Sequence, residues 1–354
     1  EAYNFYKKQA QKFWMRQNKS GMAMIALACF RTGDNNTYDA ILKSLTETSM
    51  YSEELGRYWK ENSFGYSWNW WHAPIETQSL IIEAFSESGK NRAVVDELRT
   101  WLIKDKQTNN WRTSRATADA CYALLLRGTE WLSNTPAVDI QMGGALVVSS
   151  RDTALRPEAG TGYVKKTIEG QAIKPSMGSI SVSLTSQGSP SDLPGWGAVY
   201  WQYFEDQDKV TSAATPLRLN KKLSIEKNTD RGPLLEPVGE GTILHVGDRM
   251  KVRIELRVDR DMDYVHMKDM RASALEPVNV LSGYRWQGGL GYYQSTKDAT
   301  TNFFFNSLRK GTYVFEYPLT VNQTGTFGNG ITTIQCMYAP EFSAHSEGTT
   351  IRVE

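Results

Sequence analysis

The chain has 354 residues, of which 40% are hydrophobic, and this is enough to build two or three packed domains. Its 40 Lys and Arg residues nearly balance its 39 Asp and Glu residues, so no strong field would attract nucleic acid or an anionic membrane. The longest apolar run, residues 22–30, is too short to cross a bilayer, and we expect no direct membrane insertion of this chain.

The three cysteines, Cys29, Cys121 and Cys336, are odd in number and far apart, and two of them lie in apolar runs. This pattern predicts buried thiols and neither a disulfide framework nor a metal cluster. The four histidines show none of the short spacings of a metal site. We therefore expect no metal and no cofactor.

The first 136 residues have the pattern of helical hairpins. Residues 22–30 and 116–126 are rich in Ala and apolar on all sides, which predicts helices buried on every face. Between them, a one-sided stripe at helical spacing is formed by Val94, Leu98, Trp101 and Leu102. Buried helices alternating with one-sided helices indicate two concentric layers.

An internal repeat supports this interpretation. Gly33, Gly89 and Gly128 each follow an apolar helical pattern, as a C-terminal cap requires. Trp71 precedes Thr77 by six residues, and Trp111 precedes Thr117 by the same distance. Three hairpins are too few to close a ring, so we expect residues 1–136 to be the back half of an (α/α) toroid that begins upstream.

From residue 137 onward the period changes from helix to strand. Residues 180–184, 250–258 and 313–321 alternate apolar and polar side chains, and Gly-rich turns separate them. This pattern is typical of antiparallel β-sandwiches. The predicted fold class is multidomain α and β, with a toroid-type helical domain at 1–136 followed by β domains at 137–215 and 216–354.

Several blocks resemble the C-terminal part of bacterial α2-macroglobulin-like proteins. They are residues 196–204 (Trp-Gly-Ala-Val-Tyr-Trp-Gln-Tyr-Phe), 260–269, 275–278, 291–294, 301–305, 310–317 and 330–335. The resemblance implies a thioester-type toroid, the return half of a CUB-like domain and a terminal macroglobulin sandwich. It also implies that the full-length protein is periplasmic, secreted or on the cell surface, and that it traps proteases without being an enzyme.

The resemblance also implies a thioester in many family members, which requires a Cys-x-Glu-Gln motif. Cys29, Cys121 and Cys336 are followed by other residues, so this chain contains no thioester motif. The expected partners are proteases, met through the full-length protein, and other domains of the same parent chain.

Residues 66–78 hold three of the eleven tryptophans and one of the four histidines, directly before a helical pattern. Trp71 fits the repeat, and we expect it to wedge between helical layers. Trp68, Trp70 and His72 have no such explanation. Together with Glu76 they are the candidate interface or binding residues, with a neighbouring domain as the expected partner.

Two other functions remain open from the sequence. Glu76 and Asp119 could serve as acid and base in a carbohydrate-active (α/α) toroid, with tryptophans stacking on sugars. Alternatively, the terminal sandwich could be a binding or adhesion module, which would need exposed aromatics at residues 292–293 or 303–305.

The spacing of Asp259, Asp261 and Asp263 matches the first positions of a calcium loop. The sixth position is Tyr264 where such a loop needs Gly, and the twelfth is Met270 where it needs Glu. We therefore expect these carboxylates to pair with Arg260 and nearby lysines. The function predicted from the sequence is that of a non-catalytic fragment of a protease-trapping inhibitor.

Overall fold

The computed structural model describes residues 1–60, 73–126, 137–152, 154–158, 162–185, 197–230, 232–239 and 241–354. The chain forms two compact units. The first unit joins Glu1–Ala120 to Ala198–Glu354, and the second is Cys121–Gly197. Within the described ranges, no helix is both long enough and apolar enough to span a membrane.

The helical part of the first unit also contains a small β-hairpin. Its helices are α1 (Ala2–Phe13), α2 (Lys19–Arg31), α3 (Asn35–Glu47), α4 (Pro74–Glu87), α5 (Arg92–Thr108) and α6 (Ser114–Leu125), which extends into the second unit. The hairpin strands are β1 (Met50–Ser52) and β2 (Gly56–Tyr58).

The start and end of α2 follow from its sequence. The Asn18 side chain accepts a hydrogen bond from the Gly21 amide, 2.8 Å away, as an N-cap should. Gly33 follows the helix at φ +78°, the left-handed conformation expected of a C-terminal glycine. Gly89 takes the same role after α4 at φ +69°, so two of the three predicted caps are confirmed, and Gly128 lies outside the described residues.

The prediction that α2 and α6 are buried on every face is wrong. Met24 on α2 is 56% exposed, and Tyr122 on α6 is 54% exposed. Cys121 on α6 is exposed as well, whereas Cys29 and Cys336 are buried as predicted. Alanine-rich helices need only a narrow buried stripe, because their small side chains allow close packing along that stripe alone.

The stripe predicted on α5 is confirmed at Leu98, Trp101 and Leu102, which are buried, whereas Val94 is half-buried. The β1–β2 hairpin packs against this helix. Gly56 in β2 adopts φ +74°, and a side chain at this position would lie 2.2 Å from the Glu97 carbonyl oxygen. Only glycine therefore allows the hairpin to approach α5 this closely.

The second part of the first unit is a β-sandwich. Its early strands are β6 (Ala213–Ala214), β7 (Leu217–Thr229), β8 (Gly232–Pro237), β9 (Ile243–Leu244), β10 (Arg249–Val258), β11 (Met262–Met270), β12 (Leu275–Pro277) and β13 (Gly283–Gln287). Its later strands are β14 (Leu290–Lys297), β15 (Thr300–Leu308), β16 (Gly311–Val321), β17 (Gly325–Asn329), β18 (Thr332–Cys336), β19 (Ala339–His345) and β20 (Thr349–Val353).

These strands form two large sheets and one small sheet. One large sheet has the order β12-β16-β10-β7-β8, and the other has the order β13-β14-β15-β11-β18-β19-β6. The small sheet is β17-β20-β9, in which β20 pairs with β9 in parallel. The predicted strand alternation is confirmed in β10, where every second side chain is buried.

Aromatic side chains fill the space between the two large sheets. Phe303 on β15 packs on Phe315 on β16 with ring centroids 5.4 Å apart, and Tyr292 on β14 lies 5.4 Å from Phe315. All three rings belong to the buried cluster of the sandwich. Because these strands come from both sheets, the aromatic cluster holds the sandwich together.

The second unit contains a three-stranded sheet of β3 (Ala137–Met142), β4 (Ala145–Ser149) and β5 (Ile180–Thr185) in the order β4-β3-β5. Strand β5 lies where the alternation predicts it. Ile180, Val182 and Leu184 are 40%, 58% and 55% exposed. The apolar face of this sheet is thus open on β5.

Candidate functional site

The sequence-predicted site residues lie only partly within the described chain. Trp68, Trp70 and His72 fall outside it, as does Trp71. Glu76 lies in the first turn of α4.

Glu76 accepts a hydrogen bond from Oγ1 of Thr113, 3.3 Å from its Oε1. Thr113 also caps α6, because its Oγ1 accepts from the Ala116 amide at 3.0 Å. Glu76 therefore helps to position the segment between α5 and α6.

The second carboxylate of the enzymatic alternative has a separate partner. Asp119 lies 3.5 Å from Arg115 on the same helix, and its side chain is 41% exposed. This is an exposed i,i+4 ion pair of a kind that contributes a few tenths of a kcal/mol.

The three aspartates with calcium-loop spacing have separate partners. Asp259 binds Arg260, with Oδ2 2.9 Å from Nη2, and Asp261 accepts from the Lys310 amide at 2.8 Å. Asp263 accepts from the Asn110 amide at 3.0 Å. Within the described ranges, no group of three or more His, Cys, Asp or Glu side chains is arranged to hold a metal ion.

Arg260 joins the sandwich to the helical part of the first unit. Its Nη2 lies 2.5 Å from Oε1 of Glu54, which is 206 positions away in the turn between β1 and β2. The Arg260 side chain is only 9% exposed and lies over the Phe342 ring. Burial alone would lower the pKa of this guanidinium, but hydrogen bonds to Asp259 and Glu54 raise it overall. Arg260 is thus a buried cation that spans the two parts.

The hairpin that carries Glu54 is fixed to the helices. Arg57 on β2 forms a 2.6 Å ion pair with Glu97 on α5. Gln78 on α4 donates to the carbonyl of Arg57 at 2.9 Å, and Trp59 after β2 is buried. Glu54 therefore extends from a rigid base.

A second contact crosses the same boundary. The segment 109–113 between α5 and α6 turns toward the sandwich, and its Asn110 amide donates to Oδ2 of Asp263 on β11. Within the helical part, Asp105 holds this segment. The Asp105 carboxylate accepts from Nε1 of Trp111 at 2.9 Å and from Nδ2 of Asn109 at 3.0 Å.

The electrostatics around Asp105 are unusual. Burial raises the pKa of its carboxyl to about 6. The hydrogen bonds from Trp111 and Asn109 oppose this rise, and the charges of Asp263 and Asp261 increase it. Because the pKa of an aspartate in water is about 3.9, the Asp105 carboxyl is harder to ionise here than in solution.

A shallow pocket of about 460 Å³ lies at this boundary. It is lined by Lys106, Gln107, Thr108, Asn109, Asn110, Asp263, Tyr264 and Tyr338. Tyr264 adopts φ +56° and packs edge-on against Tyr338 with ring centroids 5.4 Å apart. A left-handed tyrosine costs roughly 1–3 kcal/mol, so the surrounding contacts must stabilise it. We refer to the Arg260–Glu54 and Asn110–Asp263 contacts together with this pocket as the joint.

A binding or adhesion module would need exposed aromatic side chains at residues 292–293 or 303–305, and only some of these are exposed. Tyr293 and Phe304 are 36% and 39% exposed, whereas Tyr292, Phe303 and Phe305 are buried in the core. A pair of half-exposed rings is common on soluble domains.

Sequence reasoning did not identify most of the joint. It singled out Arg260 only as a partner for nearby aspartates, and it did not single out Glu54 or Asp105. An arginine flanked by two aspartates was the available signal, since such a residue often forms a charged network. The partner positions carried no signal, because they lie 206 and 153 residues away.

Comparisons with known proteins agree on one family. Residues 217–341 match the model of the bacterial alpha-2-macroglobulin MG10 domain. An alpha-2-macroglobulin homolog of Nostoc sp. is 22% identical over 293 residues, which cover 78% of this chain and 14% of the homolog.

Solved structures from the same family align with 98% of this chain. The trypsin-activated alpha-2-macroglobulin of Escherichia coli is 12% identical, with a TM-score of 0.39 and 22% of its chain covered. Salmonella alpha-2-macroglobulin reacted with methylamine is 13% identical, with a TM-score of 0.32 and 21% of its chain covered. The matched MG10 domain and the Nostoc homolog indicate a bacterial alpha-2-macroglobulin-like protein.

Proposed function

We propose that this chain is the non-catalytic C-terminal part of a protease-trapping inhibitor, and that its role is mechanical. The helical part and the MG10-type sandwich pack against each other and hold the larger trap in its uncleaved state. Proteases are then partners of the full-length protein, and the other domains of the parent chain are partners of this part.

One observation carries this proposal, namely the joint. Arg260 and Glu54 are brought together from positions 206 residues apart, and the arginine is buried while it spans the boundary. Separation of the two parts would remove one of the two carboxylates that Arg260 binds, which destabilises a buried cation, so the joint favours one arrangement of the two parts. The Asn110–Asp263 contact supports the same arrangement.

The remaining parts of the proposal rest on the resemblance to bacterial alpha-2-macroglobulins. We propose that the helices of residues 1–136 are part of a thioester-type toroid, and that residues 137–215 are the return half of a CUB-like domain. The open apolar side chains Ile180, Val182 and Leu184 support the second point, because a half-domain needs complementary strands to cover them. The proposed location is periplasmic, secreted or at the cell surface.

Trp68, Trp70, His72 and Glu76 remain proposed as interface residues. Glu76 holds Thr113 at the end of the segment that carries Asn110. This connection gives Glu76 a positioning role next to the joint.

Removal of Arg260 should uncouple the two parts. In the wild-type chain, we expect α5 and β11 to lose hydrogen-exchange protection at the same urea concentration, because the joint makes their unfolding cooperative. In Arg260→Ala, the α5 midpoint should fall below the β11 midpoint. Arg257→Ala is the matched control, since Arg257 is exposed on the neighbouring strand.

Coincident midpoints in Arg260→Ala would contradict a mechanical role for the joint. The enzymatic alternative has its own test. Turnover of any glycan in a panel of polysaccharides by the wild-type chain, abolished in Glu76→Gln, would show that the part is catalytic and overturn the proposal.

A further inference from the structure

The Asp105 carboxylate lies beside the joint without a cationic partner. Among the described residues, no ion pair involves Asp105, and its two hydrogen bonds come from the neutral donors Trp111 and Asn109. Protein atoms around the carboxylate desolvate it. A carboxylate in this position is less stable ionised than it would be in water.

The groups that face Asp105 add to this cost. From the sandwich, Asp263 and Asp261 contribute negative charge. Arg309 lies 3.6 Å from Asp261, and Arg260 is bound to Asp259 and Glu54, so the nearby cations of the sandwich are already engaged. On the helical side, the Lys106 ammonium lies over the Trp111 ring, 5.4 Å from its centroid.

Asp105 is mechanically connected to the contact that crosses the joint. It holds the residues on both sides of Asn110, and the Asn110 amide donates to Asp263. Opening the joint would separate Asp105 from Asp263 and let water reach its carboxylate. Ionisation of Asp105 should therefore favour the open arrangement.

We propose that Asp105 is a proton-sensitive element that closes the joint when it is protonated and biases it toward release when it is ionised. This inference rests on the proposed mechanical function, because it describes how the same joint is regulated. It makes the closed joint less stable at neutral pH, where Asp105 carries its charge, than at acidic pH.

The sign and size of the effect follow from linkage. A carboxyl with a raised pKa binds protons more tightly in the closed state than in the open state, so closure is favoured at low pH and weakens as pH rises through about 6. If opening returned the pKa of Asp105 to its ordinary value of 3.8, the equilibrium would shift toward opening by on the order of 100-fold between pH 3.5 and pH 7.5.

Hydrogen exchange at Asn110 tests the proposal on the complete chain. The protection factor, which is corrected for intrinsic exchange at each pH, should fall by roughly 10- to 30-fold from pH 4.5 to pH 7.5. In Asp105→Asn it should not depend on pH in this range. Asp39→Asn, an exposed aspartate on α3, is the matched control and should behave like wild type.

A second variant tests the same proposal if Asp105→Asn does not fold. Asp263→Asn keeps an oxygen acceptor for the Asn110 amide but removes the facing charge, and it should reduce the pH dependence of protection. Wild-type protection that is the same at both pH values, or an undiminished pH dependence in Asp105→Asn, would overturn the proposal. Protease trapping by the full-length protein is measured separately, so loss of trapping with intact pH dependence would count against the proposed function alone.

Discussion

At the scale of single residues, the ion pair of Lys221 and Asp269 ties the two large sheets together. Nζ of Lys221 on β7 lies 2.7 Å from Oδ1 of Asp269 on β11, and the side chains are 5% and 0% exposed. The ammonium also donates to the carbonyls of Met270 and Gly330. Asp269 also accepts from the hydroxyl of Thr332. A charged pair is tolerated in the core because its hydrogen-bonding groups are satisfied.

Tyr317 completes this buried group by donating its hydroxyl to Asp269. Burial raises the pKa of the Tyr317 phenol well above its usual value, and the neighbouring negative charge adds to the rise. The phenol therefore remains a neutral donor across the physiological pH range.

Replacing Lys221 with methionine should reveal how much the pair contributes. Lys221→Met leaves the Asp269 carboxylate buried and without its cation, which should reduce the free energy of unfolding by about 3–5 kcal/mol. Urea denaturation measures this loss. Lys222→Met, on the exposed face of the same strand, should change stability by less than about 0.5 kcal/mol. Equal effects of the two variants would show that the pair does not stabilise the sandwich.

The raised pKa of Asp105 should make the free energy of unfolding depend on pH. Its pKa is about 6 in the folded chain and near 3.8 when unfolded, so its contribution is fully present below pH 3.8 and is lost as pH rises through 6. The resulting change in the free energy of unfolding is at most roughly 3 kcal/mol, and it is smaller than this because solvent reaches part of the side chain. Urea denaturation should show that Asp105→Asn gains stability relative to wild type as pH rises from 4 to 7. A constant difference between the two would contradict this.

At the scale of secondary-structure elements, the sheet of the second unit leaves apolar side chains in solvent. On β5, Val182 pairs with Ile140 of β3, and Leu184 pairs with Val138. The β5 side chains are more than half exposed, whereas Ile140 and Val138 are half-buried. An open apolar face of this kind favours contact with another strand or sheet.

A charge at the centre of this face should reduce its affinity for apolar probes. We expect Val182→Lys to lower the fluorescence of bound anilinonaphthalene sulfonate and to change stability by less than about 0.5 kcal/mol, since Val182 is exposed. Ser183→Lys places the same charge on the opposite face and should leave the fluorescence unchanged. Equal loss of fluorescence in both variants would show that the dye binds elsewhere.

The sequence predicted the positions of strands and helices better than it predicted which of their side chains are buried. Alternation in residues 250–258 and 313–321 correctly indicated β10 and β16, because side-chain period depends only on local backbone geometry. The all-round burial predicted for α2 was wrong, since Met24 is exposed and the neighbours of a helix are not encoded in its own period.

The candidate site was predictable only where its signal was local. The aspartates around Arg260 suggested a charged network, and Arg260 does bind Asp259. Its contact with Glu54 depends on how two distant parts of the chain fold, and no spacing in the sequence reports that. The boundaries predicted at residues 136 and 215 stay a prediction.

At the scale of the whole molecule, the first unit combines residues from both ends of the chain. The helical part and the sandwich share one compact unit, although residues 121–197 separate them in sequence. The joint supplies directional contacts in which both partners are fixed, Glu54 by its hairpin and Asn110 by Asp105 and Trp111. A small, charged joint of this kind fits the mechanical role proposed above.

We propose that this chain belongs to a protease trap whose uncleaved state the joint maintains. The most direct measurement incubates the full-length parent protein with trypsin and then compares trypsin activity on casein and on a small chromogenic peptide. We expect casein hydrolysis to fall while peptide hydrolysis persists. We also expect Arg260→Ala, but not Arg257→Ala, to lower the fraction of trypsin that no longer hydrolyses casein. Undiminished casein hydrolysis by trypsin after incubation with the wild-type parent would contradict the claim.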